Sequence, residues 1–144
     1  MVEQDTVKLL RECDAGVKMG ISSIREVLGS VRGESMKRSL VTCKDQHEKL
    51  EKEIRSALDR FHDEGKAPDP LAKGMSWIKT NMRLAVNESD KTVADLMTDG
   101  CNMGVKSLSK YLNQYKAADE DSKRIARELI RMEADLATEL RRCL

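Results

Sequence analysis

Apolar residues recur at three-and-four spacing almost from one end of the chain to the other, the period of a helix that buries one face. Val7, Leu10, Val17, Ile21, Ile24, Leu28 and Val31 predict a first helix over about 5–31. Arg32-Gly33-Glu34 interrupts the pattern, and a break this short suits a tight antiparallel turn. Met36, Leu40, Cys43, Leu50, Ile54, Ala57 and Phe61 then predict a second helix over about 35–64. Gly65-Lys66-Ala67-Pro68-Asp69-Pro70 is the clearest loop. Asp69 as N-cap and Pro70 at the first helical position open the next element.

A single helix from Pro70 to Lys116 would reach roughly 70 Å, far beyond the first two helices at roughly 40–45 Å each. The polar stretch Asn87-Glu88-Ser89-Asp90 divides it, with Ser89 or Asp90 as a new cap. The pattern therefore predicts a short helix over about 70–87 and a long one over about 90–116. Ala118-Asp119-Glu120-Asp121 makes the last turn, its acids placed for the N-terminus of a final helix over about 120–143. Two tight hairpins joined by a connection long enough to cross the molecule predict an all-α, single-domain four-helix bundle spanning 1–144. It has one long crossover that contains a short extra helix.

A short internal repeat fits two related halves. Cys13-Asp14-Ala15-Gly16-Val17-Lys18 matches Cys101-Asn102-Met103-Gly104-Val105-Lys106, with Cys, Gly, Val and Lys identical. Each copy belongs to a GxxxG, Gly16 with Gly20 and Gly100 with Gly104. A mid-helix glycine costs about 1 kcal/mol relative to alanine, so four of them need a reason. Close approach of the first and third long helices is the structural reason, and room for a ligand at their crossing is the functional one.

Candidate chemistry sits where polar residues interrupt the stripes. Positions 36, 40, 43, 47, 50, 54, 57 and 61 are apolar except His47, and positions 126, 129, 133, 136, 140 and 143 are apolar except Glu133. The repeat pairs Asp14 with Asn102 and shifts His47 close to Glu133. All four are expected at similar depth, although a stripe through Cys13, Val17, Gly20, Ile24 and Val27 would leave Asp14 at the edge. His47, Glu133 and Asp14 are thus the candidate metal ligands, with Asn102 beside them. The structural alternative is a buried His47–Glu133 ion pair, since a buried polar group left unpaired costs about 1–3 kcal/mol.

Composition narrows the function classes. Lys plus Arg number 26 and Asp plus Glu 25, a net charge of +1. That balance argues against nucleic-acid binding and against a polybasic membrane surface. No apolar run approaches the length of a membrane span. The acidic start lacks the features of a secretion signal, so a cytoplasmic location is expected. Cys13, Cys43, Cys101 and Cys143 form no CxxC and no zinc-type cluster, and are expected to be reduced core residues. Cys43 stands one turn before His47, but an apolar stripe would hold the thiol protonated. No catalytic residue and no phosphate loop stands out.

Leu9-Leu10-Arg11-Glu12-Cys13-Asp14-Ala15-Gly16-Val17-Lys18 and Gln46-His47-Glu48-Lys49-Leu50 resemble the ferritin-like superfamily, within it the small bacterial families of uncharacterised ferritin-like proteins. Ser76-Trp77-Ile78-Lys79 in the crossover and the glycine-centred third long helix fit the same resemblance. Metal-binding members of that superfamily place a Glu on each of two helices and a Glu-x-x-His on each of the other two. Here Lys44 stands three before His47, Ile130 stands three before Glu133, and Val17 and Val105 occupy the positions of the single Glu ligands. Asp59-x-x-His62 is the one carboxylate-x-x-His. The resemblance therefore implies a scaffold whose di-iron ligands are lost, with no cofactor expected. Three functions follow: a non-catalytic bundle acting through self-association (Leu84, Val86 and Trp77 being spare apolar positions) or a protein partner; a metal-binding or redox protein using iron, manganese or zinc at His47/Glu133; or a binder of apolar ligands at the glycine gap.

Overall fold

The structure is a computed structural model that describes residues 2–68 and 89–144. The expected helix over about 70–87, with Asp69, Pro70, Trp77, Leu84 and Val86, lies outside those residues. The described residues form four long α-helices: α1 (Val2–Leu28), α2 (Glu34–Asp59), α3 (Asp90–Gln114) and α4 (Glu120–Leu140). A single 3-10 turn, Arg141–Cys143, follows α4. Among the described residues, the all-α, four-helix class read from the periodicity is the class observed. No helix among the described residues is long and apolar enough to cross a membrane.

The ends of the helices are set by local chemistry. α1 starts earlier than the periodicity suggests, with Glu3 and Asp5 in its first turn where the helix dipole favours acids. It ends at Leu28 rather than near residue 31, as Ser30 N–H turns onto the Val27 carbonyl at 2.9 Å. Val31 remains buried beyond the helix end. α2 stops at Asp59, about five residues short of expectation. There His62 adopts φ 54°, His62 N–H bonds the Asp59 carbonyl at 3.1 Å, and Asp63 N–H bonds the Leu58 carbonyl at 3.1 Å. Those two bonds around a left-handed residue are a Schellman ending, made by a histidine where glycine is usual. Ser89 caps α3 by accepting from Thr92 N–H, and Asp119 caps α4 by accepting from Ser122 N–H at 2.8 Å.

Contacts between helix ends orient the bundle. Asp90, at the start of α3, accepts from Arg32 N–H and Gly33 N–H, both at 2.8 Å, in the α1–α2 turn. At the other end, Ala117 N–H donates to Asp5 at 3.0 Å and Asp119 N–H donates to Thr6 at 2.8 Å. α3 therefore runs antiparallel to α1. Arg142 reaches Ser35 beside the start of α2, while Arg124 near the start of α4 reaches Glu53 late in α2. α4 is thus antiparallel to α2 and parallel to α1. α2 ends and α3 begins at opposite ends of the bundle.

α1 packs against all three other helices, and α4 does the same. Their diagonal contact brings α1 close to the side chains of α4. Among the described residues, two apolar clusters fill the interior. One holds Leu9, Leu10, Val17, Leu50, Ile54 and Leu129 among others, the second Ile24, Val27, Leu40, Met97, Leu136 and Leu140 among others. Each fully buried Leu or Ile contributes about 1.5–3 kcal/mol relative to exposure. Along α2 the change from one cluster to the other falls between Cys43 and Leu50, and along α4 between Leu129 and Leu136. The residues at those two junctions are His47 and Glu133.

Candidate functional site

His47 and Glu133 meet in the middle of the bundle. His47 is 1 % exposed and Glu133 9 %, and His47 Nε2 lies 3.0 Å from Glu133 Oε1. The other ring nitrogen, Nδ1, lies 2.8 Å from the Cys43 carbonyl oxygen and 3.5 Å from the Cys43 thiol. A carbonyl and a carboxylate both accept, so both ring nitrogens donate and the ring is an imidazolium. Burial works against that charge, but the bonds to Cys43 and Glu133 outweigh it and raise the pKa from 6.5 to about 10. His47 is therefore committed as a donor on both sides and has no lone pair to act as a base. The pair as a whole is neutral.

Two of the buried thiols have raised pKa values. Burial, then the nearby Glu12 and Asp14 carboxylates, push the Cys13 thiol up to about 12. Burial, then the nearby Glu133 carboxylate, raise the Cys101 pKa too. All four cysteines are unpaired, as their spacing suggests.

The remaining sequence candidates lie elsewhere. Asp14 is 3 % exposed, but its Oδ2 accepts from Lys18 Nζ at 2.7 Å and from Lys66 N–H at 2.9 Å. It fastens the segment after α2 onto α1 and is not part of the His47–Glu133 pair. Asn102 is exposed, so the expected equivalence of Asp14 with Asn102 at one depth does not hold. The repeat preserves Cys13 and Cys101 as buried residues but not the neighbour of each. His62 is turned off the helix by its left-handed backbone, so Asp59 and His62 are not a pair on one helix face.

The donors that a metal would need are already engaged. His47 Nδ1 is held by a carbonyl, Nε2 and Oε1 are bonded to one another, and Asp14 is held by two lysines. Among the described residues no group of three or more His, Cys, Asp and Glu is placed to hold a metal ion. Two iron ions need several anionic oxygens, and the centre offers one carboxylate. These residues do not fit a di-iron group.

The glycines explain what surrounds the pair. A Cβ on Gly20 of α1 would lie 2.6 Å from His47 Cδ2 and 2.7 Å from Nε2, so the imidazolium rests on bare α1 backbone. A Cβ on Gly104 of α3 would lie 3.6 Å from Glu133 Cδ and 3.8 Å from Oε2, an ordinary contact. Gly16 faces Leu129 of α4 and Leu108 of α3 at similar ease. The close approach expected between the first and third long helices is thus, at Gly20, an approach of α1 to side chains from α2 and α4.

Between α1 and α3 the small residues leave a groove of about 510 Å³. Gly16, Gly20, Gly100 and Gly104 all line it, and Glu133 forms part of its wall. Lys66 and Glu12 stand at its margin, paired at 2.7 Å. The sequence signals the space through the four glycines, and signals Glu133 through the α4 stripe. Nothing in the sequence joins the two, because that requires the diagonal α1–α4 contact.

No protein-family model matches the chain, no curated protein matches it, and no solved structure matches it.

Proposed function

We propose that this chain is a non-catalytic, ferritin-like helical bundle that works by binding, and that it seats a small, mainly apolar molecule in the groove between α1 and α3. The observation that carries the proposal is the groove itself. Its volume of about 510 Å³ lies in the range of small-molecule sites, and a convergent buried carboxylate lies in an otherwise largely apolar lining. Gly20 makes room for the His47 ring, but Gly16 and Gly104 would meet their neighbours only in ordinary contact, so packing alone does not require them. The ferritin-like description is supported by the resemblance of α1 and α2, and by α2 ending at the opposite end of the bundle from the start of α3. The absence of a base at His47 and the raised thiol pKa values support a role without catalysis.

A fluorescent apolar dye tests this reading. N-phenylnaphthylamine, which brightens in apolar surroundings, is expected to bind the full chain with saturable, one-to-one stoichiometry. Ser107→Trp, from an exposed position on the groove wall, fills the space and is expected to abolish that binding while leaving the helical circular-dichroism spectrum unchanged. Dye that stays dark, or that binds Ser107→Trp equally well, overturns the proposal.

Self-association has one observation in its favour. Met103, 55 % exposed on the groove's wall, is a large apolar side chain at the surface beside small residues that admit a close neighbour. Sedimentation of the wild type and of Met103→Lys decides it, a dimer dissolved by the substitution being the supporting result.

A further inference from the structure

We infer that the ligand of the α1–α3 groove is uncharged, with an apolar body and a hydrogen-bond-donating head, a hydroxyl or an N–H, that bonds the Glu133 carboxylate. The inference rests on the groove being a ligand site and specifies the chemistry that the site selects.

Glu133 is the determinant. A carboxylate has about four acceptor sites on its two oxygens. One accepts from His47 Nε2 at 3.0 Å. The side facing α3 meets Gly104, whose missing side chain leaves Oε2 without a covering methyl. The carboxylate thus presents spare acceptor capacity to the groove, where only a donor can use it. A ligand without a donor would cover a polar oxygen and leave it unsatisfied, which weakens its binding.

The charge of the head follows from the balance around it. The Glu133 charge is already matched by His47, and at the margin Glu12 is matched by Lys66. An ammonium head would therefore enter with no unmatched anion to receive it. A carboxylate head would face Glu133 directly. Either would lose its hydration without a compensating partner, which is the expensive case for a buried ion. A neutral donor satisfies the acceptor and adds no charge.

The body follows from the walls. Met19, Met97, Met103 and Leu108 supply the apolar lining, and flexible methionines adapt to irregular shapes. The groove's volume of about 510 Å³ suits a small organic molecule. A medium-chain alcohol, or a flat arylamine of similar bulk, meets each requirement.

Competition against bound N-phenylnaphthylamine tests the inference with three molecules of one chain length: decanol, decylammonium and decanoate. Decanol is expected to displace the dye at a concentration at least about tenfold lower than either ion, the worth of one satisfied hydrogen bond. In Gly104→Ala, which fits in ordinary contact and covers Glu133, dye binding is expected to persist while the advantage of decanol falls below about threefold. Bound dye displaced equally by all three, or best by an ion, overturns the choice of head and leaves the groove as a ligand site. An undiminished decanol advantage in Gly104→Ala removes Glu133 from the recognition. Dye that never binds overturns the site and this inference together.

Discussion

The His47 ring lies against Gly20 so closely that a methyl group there would come within 2.6 Å of ring carbon Cδ2. The ring cannot retreat, because Nδ1 is tied to the Cys43 carbonyl and Nε2 to Glu133. Gly20→Ala should therefore destabilise the protein by about 1–3 kcal/mol, the usual cost of overpacking, even though alanine is the better helix former by about 1 kcal/mol. Gly16→Ala, four residues away, meets Leu129 at 3.5 Å and should keep the gain in helix propensity. Urea midpoints of the two variants are expected to move in opposite directions. A shift of Gly20→Ala toward higher urea contradicts the packing described.

The same ring makes stability depend on pH. In the unfolded chain His47 loses its proton near its ordinary 6.5, whereas in the folded protein it holds the proton to about 10. The native state binds more protons across that interval, so the stabilisation is fully present below pH 6.5 and is lost as pH rises toward 10. The cleanest window is pH 6.5 to about 7.5, below the range in which the thiols of the unfolded chain ionise appreciably. Unfolding free energy should fall there with a slope no steeper than one proton, about 1.4 kcal/mol per pH unit. His47→Gln should flatten that slope whatever it does to overall stability. A slope that survives the substitution assigns the titration to another group.

Asp14 should act as a clasp for the segment after α2. Its carboxylate holds Lys66 N–H and Lys18 Nζ, and Gly65 stands at φ +86° so close that any Cβ would collide with Oδ2. Asp14→Ala takes a charged acceptor from the Lys66 N–H, a loss of about 1.5–3 kcal/mol. It should also speed limited proteolysis between residues 63 and 68. Asp14→Asn keeps an acceptor and should recover part of both effects. Unchanged cleavage in Asp14→Ala would show that the segment is held by other contacts.

How much of this was written in the sequence differs by feature. The α2 stripe through Met36, Leu40, Cys43, His47, Leu50, Ile54 and Ala57 is buried position for position, because burial on one helix face follows directly from a period of 3.6 residues. The meeting of His47 with Glu133 was legible for the same reason, each being the one polar residue on its stripe. Asp14 was not, since its partners come from Lys18 on its own helix and from a loop 52 residues away. Periodicity says nothing about where a loop returns. Asp90 shows the same limit. It reads as a cap, yet its carboxylate binds two backbone N–H groups in the α1–α2 turn, which holds it below the ordinary carboxylate range.

The early end of α2 supplies a last test. His62 occupies the left-handed position of a Schellman ending, with φ 54°. Its backbone bonds to Asp59, and that of Asp63 to Leu58, fix the residue there regardless of its side chain. A residue with a Cβ pays roughly 1–2 kcal/mol for that conformation, and glycine does not. Glycine also gains freedom in the unfolded chain, which offsets part of the benefit. His62→Gly should thus stabilise the protein by about 1 kcal/mol, while His62→Val should destabilise it, β-branching being least tolerated at positive φ. Thermal unfolding of the two variants at fixed pH checks the order. If valine proved as stable as glycine, residue 62 would have an ordinary backbone and α2 would continue toward residue 64, as its apolar stripe alone suggests.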